Sequence, residues 1–86
     1  MADVQVTAAD GGWRVIVRSD GATTEHDVSV PGGMAERLGT DEQRLVEASF
    51  SFLLEREPPS SILRQFSLDV IGQYFPDYEK VLPTLI

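Results

Sequence analysis

The chain has 86 residues, 42% of them apolar, and carries fourteen acidic against seven basic side chains for a formal net charge of -7. This length suits one small domain and not two. The absence of cysteine excludes a disulfide-stapled fold and any thiolate metal site. The acidic balance argues against phosphate binding through a broad basic face.

The N-terminal third reads as three strands. Val4, Val6 and Ala8 alternate with Gln5 and Thr7, the period-2 pattern of a half-buried strand. Asp10-Gly11-Gly12 supplies residues that tolerate positive φ, as a tight hairpin requires. From Trp13 to Arg18 the alternation resumes, with Trp13, Val15 and Val17 on one face and Arg14, Ile16 and Arg18 on the other. Asp20-Gly21 signals a second hairpin, and Thr23 to Val30 a third strand with Thr24, His26, Val28 and Val30 on one face. The strands at Val4–Ala8 and Thr23–Val30 are the expected edges of this meander, which Pro31-Gly32-Gly33 ends.

The remainder reads as helix. Met34 to Leu38 predicts a short turn closed by Gly39. Thr40 with Gln43 makes a capping-box pattern, and Asp41 and Glu42 suit the helix dipole. Leu45, Val46, Ser49, Phe50, Phe52, Leu53 and Leu54 follow at helical spacing. So wide a stripe packs against more than one neighbour. Arg56 falls in the expected last turn, and Pro58-Pro59 stops the helix. Ser60 or Ser61 is read as capping a short helix with Ile62, Leu63 and Phe66, and Ser67 as capping another with Leu68, Val70, Ile71, Tyr74 and Phe75. Asp77 to Leu82 adds a final turn, with Pro83 opening a loosely docked tail.

The expected fold is α+β: a three-stranded antiparallel meander, then one long and two or more short helices packed on one sheet face, in the order β-β-β-α-α. It is a single domain over 1–86, divided into a meander (1–33), a main helix region (34–59) and a C-terminal helical segment (60–86). Trp13, Phe50, Leu53 and Phe66 are the expected core joining sheet to helices. The apolar load of residues 60–86 predicts that this segment folds back onto the sheet and the long helix, or is shared with a second copy.

No catalytic constellation stands out, and no catalytic, cofactor or metal residues are assigned. His26 is the only histidine, and its neighbours Glu25 and Asp27 point to the opposite face of the strand. An enzyme or metal site at His26 is therefore the alternative of another class. The expected environment of His26 is the edge of the core face, with its polar tip near water. The carboxylates are scattered along solvated helix faces, and Gly11-Gly12 and Gly32-Gly33 belong to no phosphate-binding pattern. Ser67-Leu68 is similar to the Asp-Ser-Leu attachment site of acyl carrier proteins, but Phe66 stands where that motif has Asp. Seven aromatic residues exceed what one thin core needs, and aromatics with Arg make good interface anchors. Arg14, Arg18, Tyr74 and Tyr78 are the candidate interaction surface.

Phe50-Ser-Phe-Leu-Leu-Glu-Arg-Glu-Pro58, with Ser61-Ile-Leu63, Phe66-Ser-Leu68 and Tyr74-Phe-Pro76, resembles short uncharacterised bacterial proteins from GC-rich genomes, a likeness that covers most of the chain and implies no activity. Val30-Pro31-Gly32, and Gly39-Thr40-Asp41-Glu42 leading to Val46-Glu47-Ala48, are loosely similar to HicB-type antitoxins over about half the chain. That likeness implies neutralisation of a basic partner toxin. Here, however, the Pro-Gly element follows the third strand rather than the second. The sequence thus points to a non-enzymatic acidic module that works through protein–protein contact, with an unknown partner or by self-association through a sheet edge or the C-terminal segment. No nucleic acid, membrane or cofactor is expected. Met1-Ala2-Asp3-Val4 begins neither a basic nor a long apolar leader, and apolar runs reach only three residues, so a soluble cytoplasmic protein is expected.

Overall fold

The computed structural model describes residues 3–86; Met1 and Ala2, where the leader-free N-terminus was read, lie outside them. Strands β1 (Asp3–Ala9), β2 (Gly12–Ser19) and β3 (Ala22–Ser29) form the expected meander. Each hairpin has a two-residue loop, with Ala9 paired to Gly12 and Ser19 to Ala22. In the second loop Asp20 and Gly21 both adopt positive φ, at 50° and 79°, the left-handed backbone that lets a two-residue turn follow the strand twist. Gly12 serves a different purpose from a turn glycine. It opens β2, and a Cβ there would lie 2.5 Å from the Val28 carbonyl oxygen.

Helix α1 (Met34–Arg37) is a single turn, and α2 (Glu42–Leu54) is the long helix. The N-cap of α2 is Asp41 and not Thr40: the Asp41 Oδ1 accepts the Arg44 backbone N–H at 2.8 Å. The Thr40 N–H is taken by the Ala35 carbonyl at the end of α1, so it is not free for the reciprocal bond of a capping box. The Thr40 hydroxyl oxygen is left buried without a partner. Arg56 lies just beyond α2, yet it still serves the helix end, donating to the Phe52 carbonyl at 3.1 Å.

The largest departure from expectation comes next. Residues 59–61 form a 3₁₀ turn, and Gln65–Ser67 is a fourth strand, β4, where a helix was expected. It lies parallel to β3, pairing Gln65 with Asp27, Phe66 with Val28 and Ser67 with Ser29. The sheet therefore has four strands in the order β1-β2-β3-β4, and β3 is interior. A second 3₁₀ turn (Leu68–Val70) leads into α3 (Ile71–Tyr74) and then α4 (Tyr78–Leu85). Ser67 sits at the cap position of that turn without a side-chain cap bond. Pro83 falls inside α4, so the C-terminus is a docked helix with Leu82 fully buried, not a loose tail.

All helices share one side of the sheet with Val6, Val15, Val17, His26 and Val28 beneath them in the core. The other face is mostly polar: Gln5, Thr7, Arg14, Arg18, Glu25 and Asp27 are exposed, with Ile16 half-buried between Gln5 and Glu25. The wide stripe of α2 divides as its width implied. Phe50 stacks toward His26 and Phe66, with ring centroids 5.4 and 6.1 Å away. Phe52 makes edge contacts with Tyr78 and Phe75 at 5.2 and 5.7 Å. Phe50 and Leu53 are core as expected, whereas Trp13 and Phe66 are half-buried at its margin. The Trp13 indole reaches the rim, where Nε1–H donates to Glu42 Oε1 at 3.0 Å. Among the described residues no helix is long and apolar enough to cross a membrane.

Gly12→Ala should destabilise the protein by about 1–3 kcal/mol, because the added methyl drives β2 away from β3. Gly32→Ala, whose Cβ would meet nothing within 4 Å, should stay within about 0.5 kcal/mol of the parent. Urea denaturation of the pair checks the difference.

Candidate functional site

His26 is 1% exposed, so its tip does not face water as the sequence suggested. Phe50 of α2 and the Leu63 backbone, just ahead of β4, lie against it. Its Nδ1 lies 2.8 Å from the Leu63 carbonyl oxygen and its Nε2 lies 2.9 Å from the Thr24 hydroxyl. A carbonyl only accepts, so Nδ1 carries the proton and donates; in the neutral ring Nε2 then accepts from Thr24. One residue along, the Asp27 N–H donates to the Arg64 carbonyl at 2.7 Å. Two successive carbonyls of the 62–64 segment are thus held by two successive residues of β3. Ile62 is buried there and Leu63, next in the extended chain, turns outward and is 50% exposed.

Leu63 forms one wall of a groove of about 360 Å³. Its floor and sides come from the end of α2 (Leu53), from Ile62 and Phe66, and from the α3 region (Val70, Ile71, Tyr74, Phe75). Tyr74 stands on the rim, 68% exposed. The polar side chains in the lining are Glu57, Ser61 and the Tyr74 hydroxyl. A larger depression of about 760 Å³ lies around the first hairpin, lined by Asp10, Gly12, Arg14, Asp27 and Gln65 among others. It is open and polar, and its one cation, Arg14, already pairs with Asp27 at 3.2 Å and approaches Glu25 at 4.0 Å.

The four residues expected to form one interaction surface do not come together. Arg14 and Arg18 stand on the open face of the sheet, while Tyr74 belongs to the helical side. Tyr78 is 1% exposed and is not a surface residue at all. It opens α4 against Phe52, and its hydroxyl lies 2.6 Å from Ser49 Oγ. The Ser49 hydroxyl donates to the Leu45 carbonyl at 2.7 Å, which leaves its oxygen to accept from Tyr78. Leu63 and Glu57, which sequence reasoning did not single out, belong to the groove instead. Among the described residues no group of three or more His, Asp or Glu side chains stands close enough together to hold a metal ion.

Compared with known protein families, curated proteins and solved structures, the chain finds no match.

Two predictions follow from the buried polar groups. His26→Leu leaves the Leu63 carbonyl and the Thr24 hydroxyl without partners and should cost about 1–3 kcal/mol. Hydrogen exchange should show protection lost first at the Asp27 amide and in β4. Burial pushes the Tyr78 phenol from 10.0 up to about 12, with the hydrogen bond to Ser49 opposing the rise and the Glu79 charge adding to it. The folded state therefore holds its proton where the unfolded chain has lost it. The contribution is intact below pH 10 and falls away between pH 10 and 12, by about 2–3 kcal/mol. Tyr78→Phe should be less stable near neutrality but show a flatter alkaline decline, as read by denaturation at stepped pH.

Proposed function

We propose that this protein is a non-enzymatic binding module that captures another protein in the groove between α2, the 62–66 segment and α3. The observation that carries this reading is the pair Leu63 and Tyr74, which are 50% and 68% exposed on the rim of an apolar groove. The bonds from β3 to the Leu63 and Arg64 carbonyls fix the backbone that carries Leu63. Large apolar side chains held in water around a concave apolar lining are the usual composition of an interface anchor. The position of His26 supports the same reading. Its ring is buried and both its nitrogens are engaged, so it braces the groove wall and has no nitrogen turned toward solvent.

A photo-crosslinking phenylalanine analogue placed at Tyr74 tests the reading in a lysate of the source organism. The expected result is a discrete protein adduct from position 74, none from the same analogue at Glu25 on the open sheet face, and loss of the adduct when Leu63→Asp is added. Equal labelling from both positions, or adducts indifferent to Leu63→Asp, would overturn it.

A further inference from the structure

We infer that the occupant of this groove is a cationic amphipathic helix of a partner protein, an inference that rests on the groove being the binding site. Three features of the site select that chemistry.

The first is charge. Glu57 is the only charged residue in the lining. It is half-buried, and among the described residues no Lys or Arg pairs with it. Its neighbour Arg56 is turned the other way. The guanidinium carbon sits 3.6 Å from the centroid of the Phe52 ring, and Nη2 donates to Asp77 Oδ2 at 3.1 Å. Arg64, next to Leu63 in the chain, is not part of the lining. A carboxylate partly withdrawn from water at the edge of an apolar surface favours a cation from the occupant.

The second is the field of the whole chain. A net charge of -7 attracts a basic partner and repels a second copy of the same acidic surface. The third is the polar inventory of the groove. An extended segment would bring a row of unpaired N–H and C=O groups, and the lining offers three polar side chains to meet them. The Leu63 carbonyl already accepts from His26. A helix satisfies its own backbone and enters such a groove with its apolar stripe alone, its Lys or Arg residues flanking the stripe toward Glu57. The volume accommodates a few anchoring side chains at one-turn spacing.

The test uses the full chain and a synthetic amphipathic Leu/Lys peptide of about four helical turns, with a twin in which Glu replaces every Lys. Binding is read by fluorescence anisotropy, and each variant's melting temperature confirms that it is folded. The Leu/Lys peptide should bind about tenfold or more tightly than its Leu/Glu twin. Leu63→Asp should weaken it by about tenfold, and Tyr74→Ala by a smaller factor. Glu57→Gln, which keeps size and changes one charge, should weaken it about two- to fivefold, and added salt should narrow the gap between parent and variant. If Leu63→Asp and Tyr74→Ala bind the Leu/Lys peptide as well as the parent, the groove is not the site and both readings fall. If the Leu/Glu twin binds equally well and still depends on Leu63, the groove stands and the cationic partner is wrong. A concentration-dependent dimer in sedimentation that Leu63→Asp abolishes would assign the groove to a second copy and overturn this inference alone.

Discussion

The imidazole of His26 ties the 62–64 segment to β3, alongside the Asp27–Arg64 bond and the β3–β4 ladder. A ring with two polar nitrogens costs free energy to bury unless both are satisfied. Here one is satisfied within the strand, by Thr24, and the other only by Leu63, 37 positions along the chain. The second bond places the 62–64 segment beside β3, and the Asp27 to Arg64 bond continues it. The three-residue ladder of β4 on β3 extends the same joint. The ring, tilted against Phe50, couples this polar joint to the centre of the apolar core, so ring, strand and helix constrain one another.

The groove is a by-product of that joint completed from the other side. Helix α2 presents Phe50 to the sheet and Phe52 to the C-terminal helices. Around Phe52 the core continues through Tyr78 and Phe75, with the Arg56 guanidinium stacked on the Phe52 ring. The Tyr78–Ser49 bond and the Arg56–Asp77 pair fix α4 relative to α2. Arg37–Glu79 adds an exposed pair at 2.7 Å, a lesser contribution in water. With β4 held on one side and α3 carried by the α4 contacts on the other, a gap remains at the end of α2. Leu53, Ile71 and Phe75 line it, and no side chain of the described residues fills it.

What the sequence disclosed and what it hid divide along the range of the interactions involved. Alternation at Trp13–Arg18 and the Asp20-Gly21 dipeptide are local signals, and the meander they imply is present. The wide stripe from Leu45 to Leu54 implied more than one neighbour for α2, and it packs against both the sheet and α4. The fourth strand was illegible because Ile62, Leu63 and Phe66 match helical spacing as well as they match an extended chain. What decides between them is a parallel pairing with a strand near residue 27, which no local pattern encodes. The same blindness misplaced His26. Once β4 is absent β3 becomes an edge, and an edge histidine has its tip in water. Tyr78 was misjudged because its partner, Ser49, is a small polar residue that reads as the weak point of an apolar stripe rather than as an acceptor for a buried phenol. Of the groove, Tyr74 was recognisable as an aromatic in excess of the core. Leu63 was not, since its placement depends on the non-local bonds that set the 62–64 segment beside β3.

That dependence is open to direct observation through the ring of His26. Nitrogen-15 NMR of the ring should show a proton on Nδ1 that exchanges slowly with water, with scalar coupling across the hydrogen bond to the Leu63 carbonyl carbon. An Nδ1 without a proton, or one whose proton exchanges at the rate of an exposed histidine, would contradict the account. The 62–64 segment would then be held by something other than β3, and the groove wall with it.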